Sequence, residues 1–212
     1  MQTRSDEVVE EDEEPINETC ALIYDAQGML AASACQSGPL LGMSFSPVAG
    51  MQYHLLYGAN VGNLALRNDF ATLQGALDAV LEITAAEAVL QGSAPAPMTF
   101  SVGPIFITDG MEIPVSLVRC VSEINLSLDM SCLMDASVTI TSARLKNVPK
   151  RVGLFTDKSP SAPSHCASDG CAASPEMTEF LNCGESITLR CFENRQGVLL
   201  PSNYDQRTKS FP

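Results

Sequence analysis

Strand-length apolar runs set apart by turn residues constrain this chain more than any other feature. The longest spans Ile113 to Leu128, where Val115, Leu117, Val121, Ile124, Leu126 and Leu128 interleave with Ser116, Ser122, Asn125 and Ser127. A period of two sends one set of side chains into a core and the other toward solvent. The alternation slips near Glu123, which predicts a bulge. Ser137 to Leu145 alternates without a slip, with Val138, Ile140 and Ser142 on one face, and Asn147-Val148-Pro149 ends it. These two stretches read as central, paired strands.

Other strands follow from turn signals. Thr19–Tyr24 and Met29–Cys35 flank Asp25-Ala26-Gln27-Gly28, a hairpin pattern. Met51–Ala59 is a third strand ending at Asn60, Met98–Thr108 leads into Asp109-Gly110, and Ser186–Phe192 is the last. Residues 156–176 read as a loop. One segment departs from the pattern. After the N-cap candidates Asn68 and Asp69, Phe70, Leu73, Leu77, Val80 and Leu81 recur at helical spacing, and Gly92 can stop the helix. Gly75 leaves one helix or two short ones open. The sum is about seven strands and one helical excursion, a mainly β chain whose spacings suit a Greek-key β-sandwich. At 45% apolar the chain can bury a core, and its 17% charged content is below the roughly 25% of an average domain.

Charge narrows the partners. The net charge of −13, with 12 Lys and Arg, argues against nucleic acid, whose phosphates need cations. It argues equally against electrostatic binding to an anionic membrane. The acidic run Asp6–Glu14 repels itself. Residues 1–16 are therefore expected to be a flexible acidic tether, residues 17–200 the β-sandwich, and residues 201–212 a linker to a C-terminal domain that is missing. Calcium binding by the acidic run is the weaker alternative, because no turn residues space the ligands. No apolar run reaches the ~18 residues of a membrane helix. The start Met1-Gln2-Thr3-Arg4-Ser5 suggests a trimmed export signal.

No catalytic, cofactor-binding or metal-binding residue is assigned. His54 sits in an apolar strand and reads as packed. His165, Cys166 and Cys171 share a loop but match no standard zinc spacing. Asp157, Asp169, Glu176 and Glu179 read as solvated, and two histidines do not assemble a nucleophile–base pair. Arg144, Lys146, Lys150 and Arg151 read as a charged edge that discourages aggregation. Of the 8 cysteines, Cys20, Cys35, Cys120 and Cys132 read as small buried hydrophobes. Cys183 and Cys191 flank a strand, and Cys166–Cys171 is a candidate disulfide in an oxidising compartment.

Several segments resemble the fimbrillin superfamily of Bacteroidales. Glu112–Leu128 resembles the family's Leu-x-Arg-x-x-x-Lys strand, with Arg119 in place and Glu123 where Lys is usual. Val138–Pro149 resembles the next strand and its Asn-Val-Pro turn. His54–Asn60 resembles the Tyr-x-x-Ala-Asn strand end, Thr19–Gly28 the opening strand, and Phe192–Gly197 the Glu-Asn-x-Gln-Gly signature. The resemblance covers about residues 17–200. It implies a transthyretin-like sandwich, made as an outer-membrane lipoprotein whose lipid anchor is the only tie to the membrane. It also implies a cell-surface location and partners among other fimbrial subunits, joined by strand exchange in which an added strand completes an open sheet, with a host or bacterial receptor as a further partner. An edge at the first strand would serve such addition. Arg-specific cleavage is usual for shaft subunits. Arg4 is the only arginine before Arg67, and cutting at Arg67 would free much of the fold. The expectation is therefore an uncleaved tip or anchor component. A surface glycan-binding lipoprotein is the alternative, weakened by the absence of Trp and by only 4 Tyr and 8 Phe.

Overall fold

The computed structural model describes residues 15–40, 42–82, 85–108, 110–127, 139–149, 151–155, 171–173 and 186–192. The expected tether (but for Pro15 and Ile16) and linker, His165, Cys132, Cys166, Cys183, Lys150, the four loop carboxylates and the Glu193–Gly197 signature lie outside them.

The first hairpin is built around Asp25. Its carboxylate accepts from the N–H groups of Gln27 and Met29 at 3.0 and 2.8 Å, and Gly28 takes φ +76°, so the chain reverses tightly. The turn joins β1 (Glu18–Tyr24) to β2 (Leu30–Ser37). β3 (Gln52–Ala59) pairs with the other side of β1 and ends at Asn60, whose φ is +57°. The Asn60 side chain accepts from the Asn17 N–H and donates to the carbonyls of Pro15 and Ala96, which fixes this bend.

The helical excursion is shorter and more broken than its periodicity predicts. Two 3-10 turns, Leu64–Leu66 and Asn68–Ala71, precede α1 (Leu73–Asp78). Thr72, not Asn68 or Asp69, caps α1 by accepting from the Gly75 N–H. Gly75 lies so close to the Asp69 carbonyl that a Cβ has no room. The chain then passes into β4 (Val80–Glu82) before α2 (Glu87–Leu90). Val80 and Leu81 thus belong to a strand, because Arg151–Gly153 pairs with it.

β5 (Met98–Phe106) returns beside β3, and β6 (Val118–Arg119) touches its outer side. β7 (Val121–Ser127) follows directly. The expected continuous strand 113–128 therefore divides at Cys120, whose N–H donates to the Pro97 carbonyl. At that point the chain leaves one layer for the other, while Glu123 keeps regular pairing. β8 (Lys146–Pro149), β9 (Arg151–Gly153), β10 (Cys171–Ala173) and β11 (Ser186–Phe192) complete eleven strands among the described residues. β7 pairs with β11. Three expectations are corrected. Thr139–Leu145 forms no strand, and Asn147-Val148-Pro149 lies in β8 rather than in a turn. The expected loop contains β10, which pairs with β8.

The main sheet has the order β2-β1-β3-β5-β6. Alternation divides β1 between two apolar clusters. Cys20, Leu22 and Tyr24 face the main core with Leu56, Leu64, Phe70, Val121, Val152 and Phe192, so the second layer is built from β4, β9, β7 and β11 and the helical excursion. Ala21 and Ile23 face the other way with Tyr53, Leu55 and Tyr57. Two extended segments cover that face, contributing Leu40, Met43 and Phe45 from one and Ile107, Ile113 and Leu117 from the other. The mainly β sandwich with a helical excursion expected from sequence is the architecture observed, in more and shorter strands.

Candidate functional site: an open sheet edge

The first strand is not an edge. β1 lies between β2 and β3, and its apolar residues are buried on both faces. The edge on this side of the sheet is β2, whose sequence Leu-Ala-Ala-Ser-Ala-Cys-Gln-Ser carries no charge and no proline.

The register tells which main-chain groups of β2 are free to bond outward. The Gly38 N–H donates to the Asn17 carbonyl at 2.8 Å, which makes 17 and 38 a hydrogen-bonded pair. Alternation along the ladder makes Thr19↔Gln36, Ala21↔Ala34 and Ile23↔Ala32 bonded pairs as well. On the far side of β1, the Asn60 N–H donates to the Glu18 carbonyl, in keeping with that phase. The N–H and C=O groups of Ser33, Cys35 and Ser37 therefore point away from β1, and no described strand meets them. Ser33 and Ser37 are exposed.

Two apolar side chains stand next to this edge. Met29, immediately before β2, is 51% exposed, and Leu66, on the 3-10 turn packed beside β2, is 81% exposed. The opposite edge is different. β6 meets β5 only at Met98 and Thr99. Beyond them β5 contains Gly103-Pro104, and its register with β3 shifts between Tyr53 and Leu55. A proline without an N–H and an irregular register are devices that keep an edge from pairing. Among the described residues the sheet thus has one guarded edge and, past the Met29–Thr72 bridge and the 3-10 turn beside it, one edge at β2 with no strand paired to it.

Cys20 and Cys35 form a disulfide across β1 and β2, with Cα atoms 4.0 Å apart. This corrects their reading as unlinked buried hydrophobes. They face each other at a non-hydrogen-bonded position, where side chains of an antiparallel pair lie closest. The hairpin pattern alone did not signal the pair: Cys20 lies five residues before Asp25 and Cys35 seven after Gly28, and they come opposite one another beyond the register shift between Ile23 and Tyr24. Cys120 and Cys191 are buried, as expected of the former, and burial pushes the Cys191 thiol up.

The remaining candidates do not converge on chemistry. His54 is half-buried in β3 opposite Tyr24, with Gly103 against its ring. Arg151 faces Glu82 at 3.9 Å across β4 and β9, and Arg144 is exposed. A crevice of about 200 Å³ opens between Val61, Leu81, Ala86, Val89 and Leu154. Arg67 at this crevice pairs with Asp69 and stacks on Phe70, with its guanidinium carbon 4.9 Å from the ring centre. Among the described residues no three His, Cys, Asp or Glu side chains group as metal ligands. Burial, with Asp69 nearby, pushes the Tyr24 hydroxyl up to about 12, a consequence of packing in the core.

No protein-family model and no curated protein matches the chain. Solved structures do. One is a candidate cell adhesion protein from Parabacteroides distasonis, with TM-score 0.55 and 16% identity over 91% of this chain and 66% of that one. Another is the tip fimbrial protein Mfa3 from Porphyromonas gingivalis, with a C-terminal truncation, at TM-score 0.56 and 12% identity over 89% of this chain and 66% of that one. A candidate cell adhesion protein from Bacteroides eggerthii gives TM-score 0.52 and 16% identity over 69% of this chain and 47% of that one. The chain thus spans about two thirds of the length of the first two and about half of the third. At these identities the likeness is one of fold, and the fold is fimbrillin-like.

Proposed function

We propose that this chain is a structural and adhesive subunit of a cell-surface fimbria, of tip or anchor type, that joins its partners by β-strand addition at β2. The observation that carries the reading is the outer side of β2, which no described strand pairs with, in a fold shared with fimbrial and adhesion proteins. A strand added there gains backbone hydrogen bonds from Ser33, Cys35 and Ser37 and needs no reactive residue. The acidic segment 1–16 acts as a tether in this reading, and a lipid anchor on the precursor holds it at the outer membrane. A tip or anchor role is favoured over a shaft role by the surroundings of Arg67. It lies between two 3-10 turns whose Leu64 and Phe70 are buried in the main core, so cleavage there would cut through the fold.

The test replaces an outward N–H and leaves the fold alone. Ser33→Pro removes a donor that β1 does not use, and Ser33→Lys places a charge on the edge. Both variants should fold normally and fail to assemble into surface filaments seen by electron microscopy. Normal filaments from both would overturn strand addition at β2.

A further inference from the structure

β2 bonds to the sheet on one side only, so it is the strand an intruding segment would most easily replace. The Cys20–Cys35 disulfide opposes that replacement. It joins β2 to β1, and β1 is held on its other side by β3 through six paired positions from Thr19↔Ala59 to Tyr24↔His54. The bond is the third of seven paired positions in the β2 ladder, with Thr19↔Gln36 on one side and Ala21↔Ala34 on the other.

We propose that β2 is a fixed acceptor edge, to which a partner strand adds from outside and from which β2 itself cannot be displaced, because Cys20–Cys35 ties it to the interior of the sheet. The inference rests on the strand-addition reading and names its site and partner. The partner is an extended segment of another protein chain, uncharged along its length. This chemistry follows from β2, which has no charged residue from Leu30 to Ser37 within a chain of net charge −13. An acidic strand would meet no cation there, and ordering a charged side chain against Ala and Ser gains nothing. The small side chains Ala31, Ala32, Ser33 and Ala34 leave room for larger ones across the ladder. The partner carries an apolar residue that covers Met29 or Leu66, the two exposed apolar side chains next to this edge.

The experiment is native-state hydrogen exchange on the full chain with the disulfide intact and on the Cys20→Ala/Cys35→Ala variant. The amides to read are Ala32, Ala34 and Gln36, which bond to β1, with Leu55 to Tyr57 in β3 as the reference. Loss of the bond should speed exchange in β2 at least tenfold and leave β3 unchanged. Equal β2 rates in the two proteins would overturn the proposal. So would an equal acceleration of β2 and β3, because the bond would then steady the sheet generally. If the double variant does not fold, reduction of the folded chain by a phosphine gives the same two readings. Failure of the underlying function is separate: Ser33→Pro would then assemble normally, whatever the exchange rates of β2.

Discussion

The Tyr24 hydroxyl donates to the Phe70 carbonyl at 2.9 Å inside the main core, 46 residues away in sequence. The bond clamps the end of β1 to the helical excursion. Phe70 in turn meets Phe155 edge-on at 6.1 Å. Tyr24→Phe keeps the ring and strands a buried carbonyl, so it should cost about 1–3 kcal/mol in chemical denaturation. An unchanged midpoint and slope would show that the carbonyl finds another partner.

The same hydroxyl makes stability fall in alkali. Its folded pKa of about 12 lies above the ordinary 10.0, so the native state holds this proton when the unfolded chain has released it. The contribution is complete below pH ~10 and is lost as pH rises toward ~12, amounting to roughly 2–3 kcal/mol. A pH series of denaturation midpoints should show a steeper decline for the parent than for Tyr24→Phe. Parallel curves would contradict the assignment.

Gly103 has φ +147°, and a Cβ there would meet both the ring and the Cα of His54. Gly103→Ala therefore combines an unfavourable backbone with a clash against a neighbouring strand. We expect a loss of roughly 2–4 kcal/mol, read as a lower melting temperature. Gly110, with open space around it, is the control, and its alanine variant should cost less.

Val121→Asp tests the layer crossing. Val121 is 6% exposed and pairs with Phe192 in the second layer, so a carboxylate there is buried without a partner and should cost several kcal/mol, on the order of 3 or more. A soluble variant with the parent's melt would refute the placement of β7 against the core.

Leu66→Asp separates binding from stability. The side chain is 81% exposed, so the melt should shift by less than about 0.5 kcal/mol equivalent. Filament assembly should drop, because a desolvated charge would face the incoming strand. Full assembly by this variant would remove Leu66 from the contact.

The class of fold was legible from alternation alone, and Thr19–Tyr24, Met51–Ala59 and Ser186–Phe192 appear close to their expected bounds. Partner choice was not. Residues 113–128 alternate with one slip near Glu123, read as a bulge, yet period two describes a strand's faces and not its neighbours, so the crossing at Cys120 was not legible. The helical periodicity of Phe70 to Leu81 dissolved because Gly75 packs on the Asp69 carbonyl and β9 captures Val80 and Leu81. The edge was assigned to the first strand for the same reason. Nothing local in Thr19–Tyr24 reveals that β3 returns to its open side, although its unbroken apolar run, buried on both faces, is the pattern of an interior strand.

The account stands on the outer side of β2, and hydrogen exchange of its amides in the isolated chain and in assembled filaments tests it most directly. Ser33 and Cys35 should exchange fast in the isolated chain and at least ~100-fold more slowly in filaments, as amides newly paired in a ladder do. Ala32, Ala34 and Gln36 should be protected in both. Ser33 and Cys35 amides that exchange equally fast in the two states would contradict strand addition at this edge.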